Sequence, residues 1–571
     1  MCGIFGVLGL GVGATAARAI SEECTRKLRH RGPDDEQFTI SEDGWMGLGF
    51  ARLSINDPAH GVQPMRNDKG TAHAITNGEI YNHVALHKAQ LGDAPLHSHS
   101  DCEVILPLFE RLTDGVKLDA EGLLPAEPAL ALYDQLRGVF ASLVVDEARG
   151  VFVAARDPIG VRPLFYGNSA DGAMWFASEA KALMEHCSRV TAFPPGHVYL
   201  GSRASPAAGR FVRYYKPTYA EKGLVPSTPV DLPALRESFV RAVTWRLMSD
   251  VPVGVFISGG LDSSLVASVA KKHLPAGYDF HSFSCGLEGS PDIAAAQKVA
   301  DYLGTKHHVC TFTVEQGIAA LKDVITHLET YDVTTIRAST PMFLLSAEVR
   351  KHVKVVLSGE GADEVLAGYA YMHNAPTPAE LHEECLYLVN RLHTADVLRG
   401  DRSTAAHCLE LRVPFLDRDF VDMGLGFNPA DKSFGPDHGD RMEKWAIRQA
   451  FTKGEAGNDE EFLPSEILWR QKEQFSDGVG YNWIDGLRDH CAAAVSDADL
   501  ASAAKRFAHD PPKSKEAYFY RDLFEGIYGQ CEAVQGLRAS IQRWIPKWSD
   551  TEDPSGRVQK IHVNFKKLEE A

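Results

Sequence analysis

The sequence lacks the features of a membrane protein, of a disulfide-stapled secreted domain and of a nucleic-acid-binding protein. No segment approaches the roughly 20 consecutive apolar residues that a transmembrane helix requires. The ten cysteines are scattered singly without a Cys-x-x-Cys pair, and no Asn-x-Ser/Thr sequon occurs, which argues against a zinc ribbon and favours a reducing, cytoplasmic compartment. Because the net charge is −17, the average surface should repel nucleic acid and anionic membranes.

What remains is an ordinary globular composition, with 44% apolar and 24% charged residues. A chain of 571 residues is long enough for two large domains. Stretches rich in Ser, Pro and Ala at 202–209 and 219–233 have the composition of linkers and predict a boundary in this region. We therefore predict a first domain at 2–210, a linker at 211–232, a second domain at 233–549 and a polar tail at 550–571.

A strand, a glycine turn and a helix start at 253–272 predict a phosphate-binding loop. The apolar run 253–257 leads into Ser-Gly-Gly at 258–260, and a helical apolar pattern follows. Glycine lets the backbone approach an anion without a clashing Cβ, and a helix N-terminus offers N–H groups to phosphate. No lysine follows the glycines as in a Walker loop; Asp262 stands there instead, which makes sense if Mg²⁺ lies between it and the phosphates. The residues that this loop offers to a phosphate ligand are Ser258, Gly259, Gly260, Asp262, Ser263 and Ser264.

The second half of the chain alternates predicted strands and helices. Strands are expected near 280–285, 308–312 and 353–357, with helices between them, which indicates a parallel sheet covered by helices. Ligands of such sheets bind at the carboxyl ends of the strands. A second loop of small residues and acids, SGEGADE, follows the last of these strands at 358–364.

Two acids of this second loop have predicted roles. Asp363 can complete a Mg²⁺ site with Asp262. Glu360 is placed to act near a reacting carbonyl, as a base or as an orienting carboxylate. The segment 335–341 offers a cation and hydroxyls, Arg337 and Thr340 among them, that suit the carboxylate of a substrate.

Cys2 directly follows the initiator methionine, and removal of Met1 would leave it with a free α-amine. Such an amine has a pKa of about 7.7–8.0 and the thiol one of about 8.5. One residue would then carry a soft nucleophile together with its own base, as N-terminal nucleophiles do.

A group of residues downstream of Cys2 has the chemistry of a glutamine site. Glutamine has an α-carboxylate, an α-ammonium and a side-chain amide, so its site needs a cation, acids and an oxyanion hole. Arg52 can pair with the carboxylate, and Glu79 and Asp101 can hold the ammonium. The side chain of Asn77 and the N–H of Gly78 can donate to the tetrahedral oxyanion.

The motifs that carry these residues resemble the glutaminase domain of class II glutamine amidotransferases. They are MCGIFG at 1–6, HRGPD at 30–34, RLSI at 52–55 and NGEIYN at 77–82. The resemblance implies an α+β N-terminal-nucleophile sandwich, with layers αββα, in the first domain. It assigns 156–166 and 178–183 to buried turns and domain packing. Asn56, directly after RLSI, is atypical and is expected to flank the glutamine pocket.

The segment SGGLDSS in the second half resembles the pyrophosphate-binding loop of the ATP pyrophosphatases. The chain as a whole is similar to glutamine-hydrolysing asparagine synthetases over about residues 2–557. The segments LSGEGADE, RASTP and RQKEQFSDGVGY carry the second likeness. It implies an α/β domain with a parallel sheet of the ATP pyrophosphatase type. It also implies nucleotide contacts by Ile257, Cys285, Ser358 and Gly359. Lys472 would steady the α-phosphate while pyrophosphate leaves.

The implied function is asparagine synthesis in two half-reactions. Glutamine is hydrolysed to glutamate and ammonia, and aspartate is activated by ATP and Mg²⁺ as β-aspartyl-AMP, which ammonia converts to asparagine. An enclosed passage would keep the ammonia unprotonated. The expected partners are glutamine, aspartate and ATP, without nucleic acid or membrane, and the expected assembly is a homodimer.

Three alternatives to this function stay open. The first is a related ATP-dependent amidotransferase that acts on a close analogue of aspartate. The second is a β-lactam synthetase relative, which should lack the nucleophilic cysteine and the glutamine pocket. The third is a sensor that binds glutamine and ATP without turning over either.

Overall fold

The computed structural model describes residues 1–92, 94–471, 479–480 and 482–549, and two antiparallel sheets build its first half. The strands are β1 (Gly3–Leu8), β2 (Asp35–Ile40), β3 (Met46–Arg52), β4 (Met65–Arg66), β5 (Ala72–Ile80), β6 (Gly138–Asp146), β7 (Val151–Arg156), β8 (Phe165–Asn168), β9 (Met174–Ala177), β10 (Arg189–Ala192), β11 (His197–Ser202) and β12 (Arg210–Arg213). One sheet has the order β10-β8-β9-β1-β3-β2 and the other β12-β11-β7-β6-β5-β4.

The two sheets face each other across an apolar core and carry helices on their outer faces. Ile4 and Phe50 of the first sheet share a buried cluster with Leu143 of the second. The next residue along β6, Val144, faces the opposite way and packs in the cluster that holds the helices of this side. The helices of this half are α1 (Ala14–Arg26), α2 (His83–Leu86), α3 (Ile105–Thr113) and α4 (Ala126–Gln135). The predicted αββα sandwich is confirmed.

The second half contains a five-stranded sheet surrounded by helices. Its strands are β13 (Val253–Phe256), β14 (His281–Gly286), β15 (Lys306–Thr311), β16 (Val355–Leu357) and β17 (Glu410–Arg412). Its helices are α5 (Leu232–Trp245), α6 (Leu261–His273), α7 (Pro291–Leu303), α8 (Val314–Leu328), α9 (Val333–Val349), α10 (Ala362–Leu366), α11 (Pro378–Arg391), α12 (Asp396–Ala405), α13 (Arg418–Gly426), α14 (Trp445–Phe451), α15 (Ser465–Leu468), α16 (Asn482–Ala494), α17 (Asp497–Ala501), α18 (Ala503–Arg506), α19 (Lys515–Tyr528) and α20 (Val534–Ser540). Among the helices that the structure describes, none has both the length and the apolar character needed to cross a membrane.

All neighbouring strands of this sheet are parallel, in the order β15-β14-β13-β16-β17, so the predicted parallel α/β fold is confirmed. The strand β13 has β14 on one side and β16 on the other, and the loops that follow β13 and β16 therefore open beside each other. This is the place in an open parallel sheet where ligands bind.

Buried ion pairs join the two halves of the molecule. Glu179 of the first half contacts Arg402 of the second at 2.8 Å, and it also pairs with Arg31. Arg31 in turn donates to both carboxylate oxygens of Asp401. The carboxylate of Glu329 accepts the backbone N–H of residues 180 and 181 at 2.9 and 2.7 Å. The domain-packing role expected for 178–183 is confirmed.

Candidate functional site

Cys2 lies directly before β1 and beside the residue that follows β3. The N–H of Leu53 donates to the Cys2 Sγ at 3.5 Å. Burial raises the pKa of the Cys2 thiol, and the adjacent amino terminus only partly opposes that shift. Burial lowers the pKa of the Met1 amine, which lies 3.7 Å from Oε2 of Glu410. The thiol therefore needs a base to become a thiolate, and a backbone amine in this position has a reduced affinity for its proton.

Asn77 and Gly78 are consecutive residues of β5. Both polar atoms of the Asn77 side chain are buried and have no hydrogen-bond partner among the described residues. A buried unpaired polar group costs about 1–3 kcal/mol, so it indicates a position that a ligand completes. Gly78 has a φ of +154°, and a Cβ there would lie 2.0 Å from the carbonyl oxygen of Val139. This stretch of β5 therefore has the polar surface that an oxyanion hole requires.

The carboxylates of Glu79 and Asp101 converge on one amide group. The Nδ2 of Asn56 donates to Oε2 of Glu79 at 2.5 Å and to Oδ1 of Asp101 at 2.9 Å. Burial and the neighbouring Asp101 carboxylate raise the pKa of Glu79 well above its usual value, although Arg412 opposes this from 3.3 Å. Two acids around one N–H donor form the environment in which an ammonium group binds.

Arg52, at the end of β3, is anchored to the loop that carries Asn56. Its guanidinium donates to the carbonyl oxygens of Asp57 and Pro58 at 2.6 and 3.1 Å, and the residue is 5% exposed. Arg52, the cation expected in the glutamine pocket, is therefore fixed to the loop whose Asn56 side chain contacts the acid pair.

A cavity opens at the carboxyl ends of β13, β14 and β16. Of the residues expected to bind the nucleotide, those that line it are Ile257, Ser258, Gly260, Asp262, Ser263, Cys285, Ser358 and Gly359. Glu360 and Asp363 line the same cavity. Gly259 and Ser264 belong to the loop without lining the cavity. A Cβ on Gly259, whose φ is +73°, would lie 2.5 Å from the backbone of Ala295, and Ser264 is fully buried.

The two glycine-rich loops touch each other at the mouth of the sheet. The N–H of Ser258 donates to the hydroxyl of Ser263 at 3.1 Å, which closes the turn before α6. A Cβ on Gly359 would lie 2.8 Å from both the Cβ of Asp262 and the backbone nitrogen of Ser263. The close approach of the loop after β16 to the loop after β13 therefore depends on this glycine.

Lys444 joins the two acids expected to bind metal. Its Nζ lies 2.5 Å from Oδ2 of Asp262 and 2.7 Å from Oδ1 of Asp363, and its side chain is 2% exposed. Lys444 precedes α14 with a φ of +58°, a backbone conformation that costs a non-glycine residue about 1–3 kcal/mol and that clusters at active sites. The other oxygen of Asp262, Oδ1, is buried and has no hydrogen-bond partner among the described residues.

Glu360 pairs with Arg399 on the opposite wall of the cavity. Oε2 of Glu360 lies 2.5 Å from the guanidinium of Arg399, which also lies 2.5 Å from Asp396. Burial raises the pKa of Glu360, and Arg399 only partly opposes this shift. Burial, followed by Asp396 and Asp363, raises the pKa of Glu364 well above its usual value. The cavity thus has an acidic rim, and among the described residues the cations that line it are Lys444, Arg399 and Arg448.

Comparison with known proteins decides the family. A model described as a glutamine amidotransferase domain matches residues 1–199, and one described as asparagine synthase matches 234–379 and 374–549. The probable asparagine synthetase (glutamine-hydrolyzing) of Dictyostelium discoideum is 45% identical over 99% of this chain and 100% of its own. Asparagine synthetase (glutamine-hydrolyzing) 2 of Arabidopsis thaliana is 46% identical over 99% of this chain and 95% of its own. The chain belongs to the glutamine-hydrolysing asparagine synthetase family.

In this member of the asparagine synthetase family, the segment predicted to face aspartate is the interior of α9. The side chains of α9 that reach the cavity recur at helical spacing; they are Thr334, Thr335, Ala338, Met342 and Leu345. Arg337 lies on another face, where it forms a buried bidentate pair with Glu516 at 2.8 and 2.6 Å. The Thr340 hydroxyl donates to the carbonyl oxygen of Ile336. The structure therefore does not bring Arg337 and Thr340 to the cavity.

Lys472, the cation expected at the α-phosphate, lies outside the described residues. Among the described residues, three cations line the cavity of this asparagine synthetase relative, Lys444, Arg399 and Arg448, and none of them was predicted. Lys444 lies in MEKWAIR, which has neither a glycine turn nor a preceding strand to mark it. Arg399 is a buried helical residue next to Asp396, and i,i+3 charge pairs of this kind are common on ordinary helices.

Proposed function

We propose that this chain synthesises asparagine from aspartate, with ATP as co-substrate and glutamine as the nitrogen donor. The observation that carries the proposal is the presence, in one chain, of a glutamine-type pocket beside Cys2 and a cavity on the parallel sheet that presents Lys444 between two acids. We assign the glutaminase role to residues 2–210 and the synthetase role to residues 233–549, with 211–232 as the linker.

The glutaminase reaction uses the pocket beside Cys2. Arg52 pairs with the α-carboxylate of glutamine, and Glu79 and Asp101 hold its α-ammonium. Once Met1 is removed, the α-amine of Cys2 takes the proton from its thiol, and Sγ attacks the side-chain amide carbon. The side chain of Asn77 and the N–H of Gly78 stabilise the oxyanion. Ammonia leaves, and water then hydrolyses the thioester to release glutamate.

The synthetase reaction uses the cavity on the parallel sheet. The loop at 258–264 and the N-terminus of α6 bind the β- and γ-phosphates, because they combine backbone N–H groups with hydroxyls. A β-carboxylate oxygen of aspartate attacks the α-phosphorus of ATP, and pyrophosphate leaves while Lys444 offsets its growing negative charge. We also keep ATP contacts for Ile257, Cys285, Ser358 and Gly359.

Arg399 replaces Arg337 and Thr340 as our candidate for the aspartate carboxylate. It faces the cavity, whereas Arg337 is committed to Glu516. Glu360 is the candidate base for the final step, in which ammonia attacks the β-carbonyl and AMP leaves. Burial raises the pKa of Glu360, and a raised pKa makes a carboxylate a better proton acceptor at neutral pH.

Asp262 and Asp363 fit a Mg²⁺ ion. Oxygen ligands are the ones Mg²⁺ prefers, and the buried Oδ1 of Asp262 has no partner among the described residues. When bound with ATP, the ion would supply positive charge to the phosphates. Lys444 contacts both of these carboxylates. Because the ion would bind at the phosphates, Lys444 would also lie close to the leaving pyrophosphate.

Isotope transfer tests the whole proposal. Purified protein is incubated with aspartate, ATP, Mg²⁺ and amide-¹⁵N glutamine, and the products are analysed by mass spectrometry. Labelled asparagine and AMP in equal amounts are expected. Glutamate without labelled asparagine would redirect the search to another carboxylate acceptor, and the absence of any turnover would favour a sensor.

A Cys2→Ala variant tests the division of labour between the halves. It should lose glutamine-dependent synthesis and retain synthesis from ammonium chloride, whereas Cys531→Ala, a change at a half-buried cysteine in neither site, should retain both. Loss of both activities in Cys2→Ala would contradict the division. We expect the enzyme to act in the cytoplasm. We also expect a homodimer, and sedimentation of the same preparation measures this assembly state.

A further inference from the structure

Three histidines come together at the edge of the parallel sheet, at the opposite end of β14 from the nucleotide cavity. They are His281 at the start of β14, His308 on the edge strand β15, and His352 in the turn between α9 and β16. Among the described residues, they form the one group of three or more metal-ligating side chains whose donor atoms all lie within 4.8 Å of one another. Neither half-reaction uses them.

The register of the strands brings these side chains to one face. β14 and β15 are parallel with Phe283 opposite His308, and Phe283 shares a face with His281 because side chains alternate along a strand. The Nδ1 of His281 lies 2.9 Å from the Nε2 of His308. The ring centroid of His352 lies 4.0 Å from that of His308. The backbone of three separate segments therefore holds the three rings together.

Three neutral imidazoles hold three N–H donors and three nitrogen lone pairs. Because the ring nitrogens lie within 4.8 Å of one another, one lone pair from each ring can converge on a single point. A cation that binds three nitrogen lone pairs satisfies all of them at once. Imidazole is a preferred ligand of Zn²⁺, Cu²⁺ and Ni²⁺, and Zn²⁺ takes three histidines with its fourth position open.

A carboxylate lies next to the cluster, where metal sites commonly have one. Oε1 of Glu348 lies 3.6 Å from Nε2 of His352, one helical turn away. In metalloproteins, carboxylates of this kind fix the ring orientation of a ligating histidine. The three rings are each partly exposed, and the His352 side chain is 28% exposed, so an ion can reach them from solvent.

We propose that His281, His308 and His352 bind one divalent ion of the zinc class, with water as the fourth ligand. Zn–N bonds of about 2.0–2.1 Å place the nitrogens of a tetrahedral site roughly 3.4 Å apart, a spacing that small ring rotations reach from the observed cluster. The ion would tie the edge strand β15 to β14 and to the turn after α9. It would take no part in either half-reaction, since the cluster lies at the amino end of β14 and the substrate cavity lies at the carboxyl ends.

Metal titration of the full-length protein tests this proposal. After chelator treatment and dialysis, Zn²⁺ binding is measured by competition with a chromogenic chelator, and Co²⁺ serves as an absorption probe of the ligand geometry. Wild-type protein should bind one ion with a tetrahedral Co²⁺ spectrum. His281→Gln, His308→Gln and His352→Gln should each weaken that binding at least about tenfold, because even changes in outer-shell partners cost 10–100-fold.

His307 is the matched control. It neighbours His308 on β15 but faces the other side of the sheet, where its ring contacts the hydroxyls of Ser282 and Ser284 at 2.9 and 3.0 Å. His307→Gln should bind Zn²⁺ as the wild type does. Retained ammonia-dependent asparagine synthesis in every variant shows that the second half of the chain, which carries the cluster, is intact. Equal binding by wild type and the three cluster variants, or an equal loss in His307→Gln, would overturn the proposal.

Discussion

The Nζ of Lys444 lies 2.5 Å from Oδ2 of Asp262, so the acid of the nucleotide loop is paired with a cation that lies 182 residues further along the chain. The same nitrogen contacts Asp363 in the loop after β16 at 2.7 Å. One buried lysine therefore bridges the two acidic loops, from a backbone position with a φ of +58°. We therefore propose Lys444, which lies between the two acids, for the role that the sequence suggested for Lys472.

Replacement of Lys444 by methionine should slow the ATP-dependent half-reaction strongly. Loss of a preorganised charge at a developing anion costs about 2.7–4 kcal/mol, or roughly 10²–10³ in kcat. We expect that loss in ammonia-dependent asparagine synthesis and in aspartate-dependent ATP–pyrophosphate exchange, with glutaminase activity retained.

Two further lysine variants sharpen that test. Lys472→Met measures the competing prediction directly, and Lys453→Met, at a side chain that is 60% exposed, controls for the loss of a surface lysine. A loss of exchange in Lys472→Met together with normal exchange in Lys444→Met would reverse our assignment.

The contrast between Lys444 and Lys472 shows which residues of the candidate site could be predicted from the sequence and which could not. Asp262, Gly359 and Glu360 were predictable, because each lies in a glycine-rich loop directly after a buried strand, and parallel strands bring such loops together. Lys444 and Arg399 reach the same cavity from α14 and α12, and only tertiary packing sets where those helices lie. The same holds for Arg337 and Thr340 of RASTP: both lie inside α9, and the packing of that helix turns Arg337 toward Glu516 and away from the cavity.

Asn56 should compete with the ammonium of glutamine. Its Nδ2 bonds Glu79 and Asp101, whose other oxygens contact Arg412 at 3.3 Å and the N–H of Ile80 at 2.6 Å. An incoming ammonium must therefore displace the amide. Asn56→Ala should lower the KM for glutamine by about fivefold, the equivalent of one hydrogen bond of about 1 kcal/mol.

The matched control for Asn56 is Asn67, which donates to Glu110 at 2.6 Å on the surface. Steady-state glutaminase assays on Asn67→Ala should give the wild-type KM, and ammonia-dependent synthesis should be unchanged in both variants. A higher KM in Asn56→Ala would instead mean that the amide orients the acid pair for the substrate.

Glu410 should stabilise the protein at neutral pH and cease to do so in acid. Burial alone would raise the pKa of Glu410, but Arg162 and Arg412 outweigh burial and lower it to about 2. Because the unfolded pKa is higher, near 4.3, the native state binds fewer protons than the unfolded one between these values. The contribution of Glu410 to the free energy of unfolding is thus fully present above about pH 5 and is lost as the pH falls toward 2.

Glu410→Gln should accordingly cost about 3–5 kcal/mol at pH 7, because it leaves buried arginines without a counter-charge. Urea unfolding measured from pH 7 to pH 3 should show that the difference in the free energy of unfolding between the variant and the wild type becomes smaller as the pH falls. Glu383→Gln, at an exposed glutamate, is the control and should follow the wild type throughout. If the difference in the free energy of unfolding did not change with pH, Glu410 would act through packing and not through its charge.

Gly359 should be required for the two nucleotide loops to meet. An alanine Cβ would lie 2.8 Å from the Cβ of Asp262 and from the backbone nitrogen of Ser263, and neither atom belongs to a flexible side-chain end. Overpacking of this kind costs about 1–3 kcal/mol, so Gly359→Ala should raise the KM for ATP roughly 5- to 150-fold.

The control for Gly359 is Gly526 in α19, where an added Cβ meets nothing within 4 Å. Gly526→Ala should leave ATP kinetics unchanged and slightly raise the thermal midpoint, because alanine favours a helix by about 0.5–1 kcal/mol over glycine. Glutaminase activity should survive in both variants, since each change lies in the second half of the chain. A normal KM for ATP in Gly359→Ala would mean that the two loops can separate without weakening ATP binding. Their contact in the free enzyme would then not determine the shape of the nucleotide site.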